Sequence, residues 1–150
     1  MTRKEQYSKQ YKYRQIVKAK LFINKNFSEA IDLNQIADQA HFSKFHFIRL
    51  FKNIYDLTPN QYLTAVRIDK AKSLLKKSKS IDEVCISVGF DSVSTFKGLF
   101  KREPNFTPSD YKKHQLELKS SMLNNPTKHI PNCLLKVRNT NKKSNFQDKD

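Results

Sequence analysis

The chain contains one stretch twice, and that doubling constrains its architecture more than any other feature. FSKFHFIRLFKNIYDLTPNQY, beginning at Phe42, aligns with FDSVSTFKGLFKREPNFTPSDY, beginning at Phe90, with Asp91 as one extra residue in the second turn. Beyond Asp91 the offset is a constant 49: Ser43 matches Ser92, Phe47 matches Phe96, and Leu50, Phe51 and Lys52 match Leu99, Phe100 and Lys101. Thr58, Pro59 and Tyr62 match Thr107, Pro108 and Tyr111 in the same way. A chain of 150 residues has room for one domain or for two very small ones sharing a connector, so the repeat reads as one small unit built twice.

Each copy reads as a short helix, a tight turn and a second helix. In the first, Asp32 and Gln35 form a capping pair ahead of the apolar stripe Ile36, Ala37 and Ala40. The second opens with Ser80 and Glu83, followed by Val84, Val88 and a turn at Gly89. Ser43 and Ser92 are suited to cap the second helices, on which Phe47, Leu50, Phe51 and Ile54, and likewise Phe96, Leu99 and Phe100, recur at helical spacing and face a core. Between the copies, Thr58-Pro59-Asn60-Gln61 joins an N-cap, a proline at the first helical position and a capping-box glutamine, which predicts a long helix over 59–77. Such a helix is roughly 28 Å long at about 1.5 Å per residue. Thr107-Pro108-Ser109-Asp110 starts another helix, and Tyr11 to Asn26, with Ile16, Leu21 and Phe22, supplies the first. The expectation is therefore an all-α fold of seven helices: two helix-turn-helix subdomains joined by a long connecting helix, homeodomain-like. Its parts are a basic arm over 1–10, subdomain 1 over 11–57, the connector over 59–77, subdomain 2 over 80–118, and a polar, basic and disordered tail over 119–150 containing Pro126 and Pro131.

Charge points to a polyanionic partner. Lys and Arg number 29 against 14 Asp and Glu, a formal +15, although the flanks hold most of the excess: eight basic and one acidic residue in 1–26, and nine and three in 112–150. Flanking lysines can equally be solvated surface that keeps a chain soluble, so the helix faces must carry the argument. With the apolar positions of the first repeat turned inward, Phe45, His46, Ile48, Arg49, Lys52 and Asn53 face outward, and no acid occurs from Ser43 to Tyr55. In a major groove a guanidinium can bind guanine bidentately, while Phe and Ile can meet thymine methyl groups. The competing reading packs Phe45 and Ile48 against a neighbouring helix. In the second repeat the outward set is Val93, Ser94, Lys97, Gly98 and Lys101, a surface poorer in base-reading groups. Gly98 inside a helix signals either close backbone approach or drift. Two helices reading one side of a duplex lie about 34 Å apart, a distance the connector suits.

The spacing L-x-x-I-A-x(5)-S-x(3)-F-x-R-L-F-K through T-P-x-x-Y, followed by V-G-F-D-S-x-S-x-F-x(3)-F-K and F-T-P-S-x-Y, resembles the DNA-binding domain of the AraC/XylS transcription regulators over about residues 15–115. The resemblance implies that each subdomain places its second helix in the major groove of double-stranded DNA, that promoter or operator DNA is the partner, and that transcription is activated next to RNA polymerase. It further implies a small single-domain member, lacking a ligand-binding domain and acting as a monomer on an asymmetric site. Carried over position by position, base contacts fall on Phe45, Ile48 and Arg49, and on Val93, Ser94, Lys97 and Gly98, with phosphate contacts at Ser43, Lys44, His46, Lys52, Thr95 and Lys101. Gly98 stands where the family commonly has Arg. Asp56 and Asn105 stand where Gly often precedes the Thr-Pro pair, and His41 where Gly can sit in the first turn. Asn, Asp and His are the non-glycine residues that best tolerate positive φ, so these departures are compatible with the fold.

Two other classes stay open at this level: a non-specific or architectural DNA binder, favoured by charge lying on the flanks, and a helical protein-interaction module with basic arms. An enzyme is not expected. Cys85 lies on the apolar stripe of its helix, and Cys85 and Cys133 are too far apart in sequence to suggest a disulfide framework or a zinc motif. His41 and His46 lack a paired carboxylate or thiol at ligand spacing, and no cofactor is implied. Tyr62 and Tyr111 read as core residues with satisfied hydroxyls. No apolar run approaches the ~18 residues of a membrane helix and no signal peptide opens the chain, so a cytoplasmic, nucleoid-associated protein is expected.

Overall fold

A computed structural model describes residues 2–102 and 106–124 of the chain. Among these residues there are seven helices and no strand: α1 (Arg3–Asn26), α2 (Leu33–Gln39), α3 (Lys44–Tyr55), α4 (Pro59–Leu75), α5 (Ile81–Ser87), α6 (Val93–Lys101) and α7 (Pro108–Asn124). The chain divides into two units, residues 1–112 and 113–150; the first holds both repeats, and the described residues of the second are helical.

The helix starts follow the capping chemistry. Asp32 accepts from Gln35 N at 2.8 Å while Gln35 Oε1 accepts from Asp32 N at 2.9 Å, and Thr58 with Gln61 and Ser80 with Glu83 form the same reciprocal box. Each box satisfies an amide that the first turn would otherwise leave without a partner. Ser92 accepts from Thr95 N at 3.3 Å. Its counterpart Ser43 occupies the N-cap position of α3 but makes no side-chain capping bond, unlike the sequence expectation.

Three boundaries differ from that expectation. The first helix begins at Arg3, eight residues before Tyr11, because Thr2 and Glu5 close a capping box with Glu5 Oε2 2.6 Å from Thr2 N. The residues read as an arm therefore continue α1; all of residues 2–14 are exposed, so no apolar stripe marked them as helical. The connector ends at Leu75 rather than at 77, where Ser78 turns the chain with φ 65°. At the other end α7 extends past 118 to Asn124. The remainder of the expected tail, with Pro126, Pro131 and Cys133, lies outside the described residues, as does Asn105.

The positive-φ substitutions behave as expected: His41 after α2 has φ 53° and Asp56 after α3 has φ 57°. Asp56 N donates to the Lys52 carbonyl at 2.8 Å, closing α3 without glycine.

Two cores flank α4. Ile16, Ala19 and Ile23 of α1, Ile36 and Ala37 of α2 with Ala40, and Phe47 and Phe51 of α3 surround Leu63. Val84 and Cys85 of α5 with Val88 and Phe90, and Phe96 and Phe100 of α6, surround Ile68, Ala71 and Leu75. From Leu63 to Ile68 an α-helix turns by about 140° modulo a full circle. The strut thus presents different faces to the two repeats and carries no single apolar stripe. The aromatic triads show how faithfully the unit is repeated: Phe47–Phe51 and Phe51–Tyr62 centroids are 5.5 and 5.6 Å apart, and Phe96–Phe100 and Phe100–Tyr111 are 5.7 and 5.6 Å apart. Tyr62 is half-buried and donates its hydroxyl proton to Asn24 Oδ1 at 3.0 Å.

Candidate nucleic-acid interface

Burying Phe47 and Phe51 completely fixes the rotation of α3, and the rest of its surface follows from that. Phe45 is 77% exposed, and Lys44, Arg49, Lys52 and Asn53 are exposed with it. A solvent-facing phenylalanine beside Arg and Lys costs hydrophobic free energy on a free surface, about 25 cal/mol per Å² of apolar area. The alternative in which Phe45 packs on a neighbouring helix is therefore not realised. Ile48 is half-buried, as is His46, whose ring meets Phe42 edge-on at 5.2 Å. His46 is thus held by an aromatic neighbour, with part of its surface left for an outside contact. Ser43 is exposed and its hydroxyl is not spent on capping.

On α6, buried Phe96 and Phe100 set the rotation, and Ser94, Thr95, Lys97, Gly98 and Lys101 are exposed. Val93 differs from its neighbours: it is half-buried and packs against the second core, so only part of its side chain is available. A Cβ on Gly98 would meet nothing within 4 Å, so no internal packing demands glycine there. Among the described residues no carboxylate pairs with Lys44, Arg49, Lys52, Lys97 or Lys101. Both second helices therefore present cations without carboxylate partners among the described residues, and neither segment contains an acid from its N-cap serine to its last turn. Such a face attracts phosphate and loses that attraction as salt rises.

The other titratable groups belong to the scaffold. Cys85 is buried and its thiol lies 3.5 Å from the Phe90 carbonyl oxygen; burial, with smaller effects of Asp82 and Asp91, pushes the thiol above its ordinary range, which suppresses the nucleophilic thiolate. Arg67 is half-buried, and its Nε and Nη2 donate to the carbonyls of Phe27 and Glu29. The sequence reading did not single out Phe27 or Arg67. Their importance depends on segments about forty positions apart, and neither sits in a repeat.

A family model described as a helix-turn-helix domain matches residues 36–114, from α2 into α7. The chain is 36% identical over 92 residues to the bifunctional transcriptional activator/DNA repair enzyme AdaA of Bacillus subtilis, an overlap covering 61% of this chain and 44% of AdaA. It therefore spans less than half the length of that relative. It is similar to the crystal structure of a transcriptional regulator from Chromobacterium violaceum of the AraC-type DNA-binding-domain class, with a TM-score of 0.64, 26% identity, and coverage of 69% of this chain and 93% of that one. It is also similar to the DNA-binding domain of the global transcriptional factor AdpA in complex with a target DNA, with a TM-score of 0.63, 26% identity, and coverage of 75% and 96%. With seven helices, two helix-turn-helix copies on one strut and a helix-turn-helix family model matching residues 36–114, the chain belongs to the AraC/XylS family of helix-turn-helix proteins.

Proposed function

We propose that the protein binds duplex DNA sequence-specifically and activates transcription, with α3 and α6 entering successive major grooves on one side of the helix. The observation that carries this is the pairing of two exposed, acid-free basic helix faces on one repeated scaffold. An α4 of 17 residues is about 25 Å long, and side chains at its two ends extend the reach toward the ~34 Å between successive grooves. The likeness to the AdpA DNA-binding domain, solved in complex with a target DNA, supports DNA as the partner.

Within this reading Arg49 is the principal base reader, its fork matching guanine O6 and N7, with Phe45 and the exposed part of Ile48 against thymine methyl groups. Lys97 and Ser94 read from α6, the uncovered edge of Val93 adds a small apolar contact, and Gly98 admits close approach of the backbone. Ser43, Lys44, His46, Lys52, Thr95 and Lys101 hold phosphates and set register without carrying sequence information. The protein acts as a monomer on an asymmetric site in the cytoplasm, within the nucleoid, and contacts RNA polymerase at the promoter.

Site selection from a random duplex library tests this directly, followed by binding of two variants across a salt series. Arg49→Ala is expected to lose about 1–3 kcal/mol on the selected site and relax the preference at one base, whereas Lys52→Ala weakens all sequences alike and lowers the salt slope by about one. Equal affinity of the parent for selected and random duplexes would leave non-specific binding as the function. Binding that ignores salt, or none, would make this a protein-interaction module.

A further inference from the structure

The joint between the two copies is made by a segment that belongs to neither second helix. Arg67, near the middle of α4, donates from Nε to the Phe27 carbonyl oxygen at 2.7 Å and from Nη2 to the Glu29 carbonyl oxygen at 2.8 Å. Its guanidinium carbon lies 5.5 Å from the centroid of the Phe90 ring, in the turn of the second copy. One side chain thus touches the strut's neighbours on both sides. Gly89, beside Phe90, has φ +86°, and a Cβ there would lie 2.7 Å from the Ser28 carbonyl oxygen, 2.9 Å from the Ser28 carbonyl carbon and 3.0 Å from the Phe27 carbonyl oxygen. The turn of the second copy is therefore pressed against the backbone that follows α1. The Phe27 side chain packs against both cores, and Lys70 Nζ sits 5.9 Å from its ring centroid.

A helix on its own fixes the distance between two attached units better than their relative rotation, since bending or twisting it changes angle before length. A second point of attachment away from the helix axis removes that freedom. The Phe27–Glu29 backbone supplies the second point, and the planar, forked guanidinium of Arg67 suits it, because two charge-assisted bonds to separate carbonyls restrict rotation that a single bond would allow.

We propose that Arg67 and the Phe27–Glu29 turn form a clasp that sets the angular register between α3 and α6, and so determine which spacing between DNA half-sites the protein accepts. This rests on the two-headed DNA reading above. Each base pair inserted between half-sites rotates one relative to the other by about 35°. With a stiff joint the second head is thrown out of its groove, and the avidity gained by linking two heads, about 10²–10⁴, is lost. With a loose joint the head follows the rotation and the penalty shrinks.

The test uses the full chain, the site recovered by selection, and versions of it with one or two base pairs added or removed between the halves. Arg67→Met keeps the length of the side chain and its apolar contact with Phe90 while removing both donors. The parent is expected to lose about 100-fold on a two-base-pair insertion and Arg67→Met about tenfold or less, with base preference inside each half-site unchanged. An equal spacing penalty in both proteins, or a loss in Arg67→Met that is the same on single half-sites and on every spacing, overturns the clasp. Should Arg67→Met fail to fold by circular dichroism, Arg67→Lys, which keeps the charge without the fork, is expected to give an intermediate penalty, and a parental penalty overturns the proposal. A readout without DNA separates the two readings: spin labels at Lys52 and Lys101, attached by chemistry that spares Cys85 and Cys133, should give a narrow distance distribution in the parent and a broadened one in the variant. Equal widths refute the clasp whatever the DNA result, whereas a parent that prefers no site refutes the DNA reading while the label widths still decide the clasp.

Discussion

The two glycines provide a test in which one substitution should act in opposite directions. Gly98 is exposed in the interior of α6, and a Cβ there would meet nothing within 4 Å. Alanine in a helix interior is favoured over glycine by about 0.8–1.0 kcal/mol, so Gly98→Ala should stabilise the fold by about that amount. Gly89 has φ +86°, where an ordinary residue costs about 1–2 kcal/mol, and the added Cβ would come within 3.0 Å of three backbone atoms of Phe27 and Ser28. No side chain can rotate away to relieve that overlap. Either the α1–α2 turn moves, breaking the Arg67 bonds, or the strain is held, and the total loss is expected to be about 3 kcal/mol or more. For a chain of this size 1 kcal/mol corresponds to roughly 3–5 °C in Tm. Thermal melts followed at 222 nm should therefore rise by a few degrees for Gly98→Ala and fall by about 10 °C or more for Gly89→Ala. A fall for Gly98→Ala, or no change for Gly89→Ala, would refute the reasoning from Cβ placement. DNA binding adds a second axis: because the Gly98 backbone approaches the DNA closely in the proposed reading, Gly98→Ala should weaken binding to the selected site by about tenfold even at a raised Tm. Binding within about twofold of the parent would remove Gly98 from the contact surface.

Other consequences are open to measurement. Asp32→Ala removes a reciprocal capping box and should cost about 1 kcal/mol in urea denaturation, whereas Ser43→Ala, which removes no capping bond, should leave stability close to that of the parent. Gln15 is buried in α1, and its Oε1 has no hydrogen-bond partner among the described residues; Gln15→Leu should stabilise by about 1 kcal/mol, and a loss of stability would reveal a bond to solvent or to another group. Folding raises the Cys85 thiol and the Tyr55 hydroxyl above their ordinary values, chiefly by burial, so the neutral forms are favoured in the fold. Their contribution is complete at neutral and acid pH and disappears as pH climbs past the ordinary thiol and phenol values toward the raised ones. The parent should therefore lose more stability between pH 7 and 10 than Cys85→Ala does. Comparing the two at each pH cancels the change in overall charge repulsion, and parallel curves would contradict the assignment.

Local chemistry made much of this protein legible before any coordinates. The Asp32–Gln35, Thr58–Gln61 and Ser80–Glu83 boxes, the inward stripes on α3 and α6, and the glycine-free turns at His41 and Asp56 each depend on residues within a few positions of one another. The repeat then transferred each inference from one copy to the other, and with the inward stripe assigned, the outward position of Arg49, Lys52, Lys97 and Lys101 followed from helical geometry. The start of α1 was also within reach, since Thr2 and Glu5 have the capping-box spacing; attention to apolar periodicity passed over it, because residues 2–14 bury nothing.

Tertiary structure alone decided how far each outward residue is free and how the copies are joined. Ile48 and Val93 share a face with exposed neighbours yet are half-covered, and His46 leans on Phe42. The Arg67 clasp brings together segments some forty positions apart in the chain, through backbone carbonyls whose positions no residue identity specifies. Periodicity records which side of a helix is apolar, because that is a property of neighbours in sequence. The angle at which one packed unit meets another depends on backbone atoms common to all residues, and so it emerges only when the chain has folded.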